Sequence, residues 1–138
     1  MLSNTHFSMA VHVLTALAVN EGEVAGSENL ARSMGTNPSF LRGLIGQLRD
    51  AGLVETRLGK GGGSLLARPA ARITLLDIYR VTERRPAMTA HACDPDSSCP
   101  VARKMDHILG ELNHKLEDTV MKQLKEITLA DLVVNYIH

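Results

Sequence analysis

The sequence predicts a mainly helical chain with one small β-hairpin: three helices, the hairpin, a further helix, then one long helix. Three observations predict it. Apolar residues recur at helical spacing through most of the chain. A glycine cluster, "LGKGGGS" at 58–64, separates two short strand-like segments. After Pro100 a single apolar seam runs for 28 residues without another proline.

The 138 residues suffice for one domain, or one domain with an appendage. The 44% apolar fraction supports a core, and two Phe, two Tyr and no Trp make that core aliphatic. No apolar run approaches a membrane span and no signal segment opens the chain, so a cytoplasmic protein with no membrane partner is expected. In a reducing compartment the two cysteines are expected as free, switching or ligating thiols.

Residues 5–19 read as a helix apolar on most sides. Phe7, Ala10, Val11, Leu14, Leu17 and Ala18 form one stripe, and Met9, Val13 and Ala16 a second. "GSENLARSMG" reads as a short helix with Ser27 as N-cap and Gly35 closing it. In "TNPSFLRGLIGQLRDAG", Asn37 is the N-cap, Pro38 suits the first turn and Gly52 the stop. Leu41, Leu44, Ile45 and Leu48 share its apolar face. "LVETR" and "LLAR" flank the glycine turn as strands. Thr74 with Asp77 forms a capping-box pattern for "LLDIYRVTE". A breaker-rich loop follows from Arg84 to Ser98. In the long helix, Val101, Met105, Ile108, Leu112, Leu116, Val120 and Leu124 make a narrow seam suited to pairing with another chain. Thr128 and Asp131 cap a last short helix. The expected units are a head over 1–83, a cysteine-bearing loop over 84–98 and a dimerisation unit over 99–138.

The formal net charge is zero, but it is polarised. From Asn29 to Arg72 seven basic residues face two acidic ones, whereas Asp106–Asp131 is net −3. Three helices and a glycine-tipped hairpin make a winged helix-turn-helix, and "SMGTNPSF" is its turn. The second helix of that motif has a small polar face that fits a DNA major groove, with Ser39, Arg42 and Gln47 in reach of base edges. Gly43 and Gly46 each cost about 1 kcal/mol relative to Ala inside a helix, a cost that close approach to a sugar–phosphate backbone offsets. The candidate DNA contacts are Asn37, Ser39, Phe40, Arg42, Gln47 and Arg49, with Arg57, Lys60, Gly61 and Gly62 on the wing. Arg68 is a further phosphate contact. In "GKGGGS" the lysine precedes the glycines and a strand follows, which excludes a nucleotide-binding loop. No nucleophile–base pair or metal-ligand set stands at catalytic spacing, so no enzyme is expected. A winged-helix module for protein interaction is the alternative use of the same face.

"AVHVLTALA", the run "NPSFLRGLIGQLRDAGLVETRLGKGGGSLLARPAARITLLDIYRV" and the cysteine loop feeding a long helix resemble the IscR/NsrR-type (Rrf-two) family of bacterial winged-helix transcriptional regulators. "TNP" and "CPVARK" are most similar to its YwnA-like branch. The resemblance covers nearly the whole chain. It implies a repressor that binds a pseudo-palindromic operator in double-stranded DNA as a homodimer crossed through the long helices. Many relatives carry an aromatic where this chain has Ser64, which implies a different wing contact. Cluster-bearing relatives use three cysteines in the loop. Here Cys93 and Cys99 match two, and the third position falls on Met105.

Two uses of the cysteine pair follow. In one, no cofactor is needed. Cys99 precedes Pro100 at the start of the long helix, where free N–H groups, the helix dipole, Arg103 and Lys104 favour a thiolate, while Asp94 and Asp96 oppose it. Oxidation of Cys99 and capture by Cys93 or a partner-chain cysteine then moves the long helix against the head. In the other, a [2Fe–2S] cluster is held by Cys93 and Cys99 with histidine, His12 and His107 being the candidates. Ser8 shares a face with His12, and His91 also flanks the loop.

Overall fold

The computed structural model describes residues 5–83 and 85–138. Residues 1–4 and Arg84, the expected first residue of the loop, lie outside them. The fold is the expected one, helical with a two-stranded antiparallel hairpin.

Helix α1 (His6–Val19) is the central pillar, burying Ala10, Val13, Leu14, Leu17 and Ala18. Its double apolar stripe serves packing on several sides: α2, α3, α4, α6 and the second hairpin strand all touch it. Helix α2 (Ser27–Met34) begins one residue away from expectation. Ser27 is already helical, and the N-cap is Gly26, in extended conformation with no side-chain cap. Its carbonyl accepts from Leu30 N–H at 3.1 Å. Gly35 closes α2 in the left-handed region, φ +64°, as a helix-ending glycine should.

Helix α3 (Pro38–Asp50) follows after a three-residue link. Asn37 Oδ1 accepts from Ser39 N–H at 2.7 Å, and Pro38 occupies the first turn. Leu41, Leu44, Ile45 and Leu48 are buried. Gly52, at φ +79°, turns the chain into strand β1 (Val54–Arg57). Strand β2 covers Gly63–Leu66, beginning and ending two residues earlier than expected, with Val54 opposite Leu66 and Arg57 opposite Gly63.

The shift has a cause. Ser64 exchanges two 2.8 Å backbone hydrogen bonds with Ala25 and is only 3% exposed. The wing is thereby tied to the link before α2. Ser64 is buried at the floor of the cleft between α3 and the hairpin.

Helix α4 (Leu75–Thr82) starts with the expected capping box. Asp77 N–H donates to Thr74 Oγ1 and Thr74 N–H to Asp77 Oδ2, at 3.2 and 3.0 Å. Helix α5 (Pro100–Lys125) runs 26 residues, and none of them is buried. After it, Thr128 and Asp131 form a second capping box for α6 (Leu129–Leu132), which loosens into a π-helical turn, Val133–Ile137. Leu75 N–H donates to Ile127 O and Leu129 N–H to Ile73 O, both at 2.9 Å. Leu129 is sealed in the same core as α1. The C-terminal end of the chain is therefore stitched back onto the head. Among the described residues no helix is long and apolar enough to cross a membrane.

Candidate nucleic-acid interface and cysteine loop

A cleft of about 390 Å³ lies between α3 and the hairpin. Arg42 and Arg49, two turns apart on the same side of α3, line it from that helix, and Arg57 lines it from β1. Arg42 Nη2 donates to Ser39 Oγ at 3.3 Å, which aims the guanidinium along the exposed face. Arg49 also lies 3.6 Å from Asp50, in an exposed pair that contributes little fixed geometry. Three arginines thus line one open cleft, a disposition suited to a polyanion.

The predicted contact residues divide into two rows. Phe40 and Gln47 lie on the other side of α3 and line a second groove with Thr5, His6, Val81, Thr82 and Arg85. Phe40 stacks on His6 with ring centroids 5.4 Å apart. Asn37 is committed through Oδ1 to its cap. Lys60 and Gly61 stand exposed or nearly so at the hairpin tip, where Gly61 has φ +79°.

Three details differ from expectation. Arg68 turns away from the wing: its Nη2 lies 3.7 Å from Asp77 Oδ2, at the start of α4. The capping carboxylate is its nearest charged partner. Gly62 is required by its own chain, since a Cβ there would collide with the carbonyl of Arg57. Leu58, absent from the predicted set, is 97% exposed at the hairpin turn. Its place directly before the glycine cluster, at the expected hairpin turn, was the available signal. At Gly43, by contrast, a Cβ would meet nothing in the chain within 4 Å, and at Gly46 only Arg49 at 3.8 Å. Packing within the chain does not explain these two glycines.

The cysteine loop is held at its start by Asn113 of α5. Asn113 Oδ1 accepts from Met88 N–H at 2.8 Å, and its Nδ2 donates to Met88 O at 3.0 Å. Between the cysteines the chain reverses. Ser97 N–H donates to Asp94 O at 3.2 Å and Asp96 N–H to Asp94 Oδ1 at 2.9 Å, around Pro95. Aspartate first and proline second is the sequence such a turn favours. Cys99 is the N-cap of α5 but its sulfur makes no capping bond, while its N–H donates to Ser97 Oγ at 3.1 Å. Cys93 Sγ lies 3.2 Å from His91 Nε2.

Residues 3–135 match the Rrf2 family, described as iron-dependent transcriptional regulator. The chain belongs to the Rrf2 family of transcriptional regulators. It is 31% identical over 134 residues to YwnA of Bacillus subtilis (strain 168), named an HTH-type transcriptional regulator, covering 97% of this chain and 98% of the relative. Its fold is similar to that of T. potens IscR, with a TM-score of 0.74, 26% identity and coverage of 98% and 88% of the two chains. It is also similar to the oxidized form of Staphylococcus aureus CymR, with a TM-score of 0.70, 28% identity and coverage of 96% and 95%. These are DNA-binding regulators, not enzymes, and so is this family member.

The family's description names iron, which makes an iron–sulfur cluster the group these donors would have to hold. The residues do not fit one within a single chain. Among the described residues no three His, Cys, Asp or Glu side chains gather where they could hold a metal ion. His12 is exposed on α1, Ser8 Oγ donates to Thr5 O, and His107 pairs with Glu111 at 3.4 Å. The candidate ligand set Cys93, Cys99, His12 and His107 is not assembled. The i,i+4 partner on its own helix is the nearer claim on His107.

Proposed function

We propose that this Rrf2-family regulator is a cytoplasmic repressor that binds a pseudo-palindromic operator as a homodimer, and that oxidation joining Cys99 to Cys93 or to a partner-chain cysteine switches its binding. The observation that carries the DNA reading is that Arg42, Arg49 and Arg57 all line the cleft between α3 and the hairpin. Two such clefts, related by a two-fold axis, match two half-sites of duplex. Arg42, Arg49 and Ser39 approach the major groove from α3. Gly43 and Gly46 let the backbone of that helix come close. Arg57, Lys60 and the tip glycines address phosphates, and exposed Leu58 supplies an apolar contact to sugar or base edges. Phe40 and Gln47 flank this row, and Asn37 fixes the helix start.

The seam of α5 supports the dimer. Val101, Ile108, Leu112 and Leu116 are between 41% and 57% exposed and lie along one side of a long helix. Two thiols in a loop clamped to that helix by Asn113 support the switch, since a new bond in the loop changes how α5 leaves the head.

The test is a titration of the full chain on the promoter DNA upstream of its own gene, at several salt concentrations. Reduced protein is compared with protein briefly oxidised by hypochlorite, for wild type and Cys99→Ser. The expected result is salt-dependent, sequence-specific binding that changes on oxidation only in the wild type. Binding without sequence preference overturns the repressor reading and favours the protein-interaction module. Tight specific binding that ignores oxidation in both proteins overturns the switch.

A further inference from the structure

We infer that Cys93, not Cys99, is the sulfur that reacts first, and that His91 is the base that takes its proton. The inference deepens the thiol-switch proposal and rests on it, but it assigns opposite roles to the two cysteines from those their sequence positions suggest. The helix start argues for Cys99, yet its sulfur makes no capping hydrogen bond and faces solvent. Cys93 is half-buried and has an imidazole nitrogen 3.2 Å from its sulfur. Thiol reactivity follows access to a base and to the thiolate form rather than exposure alone. The spacing of His91 and Cys93 is two residues in a segment without helix, so both side chains project to the same side of the chain. Upstream, the Asn113 clamp on Met88 fixes where this segment leaves α5. Downstream, the Asp94–Ser97 reversal carries the chain back, so that Cys99 follows the turn as the second sulfur.

The oxidant is a hydroperoxide. The Cys93 thiol proton passes to His91 Nε2, and the thiolate attacks one peroxide oxygen. An S–O bond forms as the O–O bond breaks. Sulfur is oxidised by two electrons, and the leaving oxygen takes the proton back from His91 to depart as water or an alcohol. The Cys99 thiol then attacks the sulfenic sulfur of Cys93. An S–S bond forms, the S–O bond breaks, and the hydroxyl leaves as water with the Cys99 proton.

The experiment treats the reduced full chain with hydrogen peroxide in the presence of dimedone and maps adducts by mass spectrometry. Cys99→Ser, Cys93→Ser and the pair Cys99→Ser/His91→Ala are compared across pH. The expected result is rapid labelling of Cys93 in Cys99→Ser, with Cys99 labelled at least ~tenfold more slowly in Cys93→Ser, since a positioned base is worth that or more. Removing His91 should slow Cys93 labelling by a similar factor and steepen its dependence on pH. Faster labelling of Cys99, or an unchanged rate and pH profile without His91, overturns the assignment. The promoter titration separates the two ideas. Rapid His91-dependent labelling of Cys93 with no change in DNA affinity keeps the assignment and ends the switch. An oxidation-sensitive affinity with Cys99 labelled first does the reverse.

Discussion

In the head, Leu14, Leu41, Leu48, Ile73 and Ile78 are sealed from solvent, whereas the 26 residues of α5 bury none of their side chains. Both regions carry apolar residues at the same helical spacing. The difference is what faces them. In the head, α1 gives every neighbouring element an apolar surface, and even the hairpin is fastened by Ala25 and Ser64. In α5 the row Val101, Ile108, Leu112 and Leu116 faces open solvent. A helix gains most of its stability from packing an amphipathic face, so one region is complete in a single chain and the other is left with an uncovered seam, which the proposed dimer would cover.

The largest expected effect comes from breaking that seam. Replacing Ile108 and Leu112 together by Glu should halve the mass in sedimentation, because two carboxylates cannot be desolvated along a paired seam. Affinity for a two-half-site operator should fall by about 100-fold or more as the two heads lose their linkage. The head should still unfold cooperatively. A mass unchanged from wild type would show that the seam of α5 is not the pairing surface.

The next effect belongs to the head alone. Leu41→Ala removes a fully buried side chain from α3. It should cost about 2–5 kcal/mol of unfolding free energy, read from a urea titration. A cost well below that range would mean that the core under α3 collapses to fill the gap, and that the head is softer than its burial suggests.

Much of the head was legible because its local rules and its global packing agree. Asn37, Pro38, Gly52, Thr74 with Asp77, and Thr128 with Asp131 all act as their residue types direct. The misses share a physical origin. Ser27 and Gly26 compete for one cap, and a one-residue choice of helix start is fixed by the chain before it. Arg68, Ser64 and Gly62 looked like wing residues in sequence, but their roles depend on Asp77, Ala25 and the Arg57 carbonyl across a turn. The split of α3 into an arginine row and a Phe40–Gln47 row was implicit in helical spacing. The stacking of His6 on Phe40 was not. In the loop, no sequence rule joins Asn113 to Met88 across 25 positions.

That clamp gives a smaller and more local prediction. Asn113→Ala removes both hydrogen bonds to Met88, and a typical net contribution of such bonds is about 1 kcal/mol each. The expected outcome is faster amide exchange across 86–99 with the protection of α1 and α3 unchanged. If exchange slowed or stayed the same there, the loop would be held by contacts other than Asn113. The comparison between a sealed head and a lightly held loop would then need redrawing.

The smallest effect appears only at alkaline pH, where the head meets α5. Tyr79 is buried on α4, its ring edge against Phe7. Its hydroxyl is held above the ordinary value of 10.0, first by burial and then by the charges of Glu117 on α5 and Glu83 at the end of α4. The folded chain therefore keeps this proton more tightly than the unfolded chain does. Stability from the neutral phenol is complete below the ordinary value and drains away as pH rises through the higher, folded one. Tyr79→Phe has no proton to lose. Its urea midpoint should fall less steeply than that of the wild type as pH rises past the ordinary tyrosine value of 10.0, and the two curves should run together below it. Every other titrating group is common to both proteins and cancels in the difference. Adding Glu117→Gln to the wild type should bring its curve toward that of Tyr79→Phe. Parallel wild-type and Tyr79→Phe curves would mean that the phenol is not buried in solution, whereas a Glu117→Gln curve unchanged from the wild type would mean that α5 does not hold its acidic face against α4.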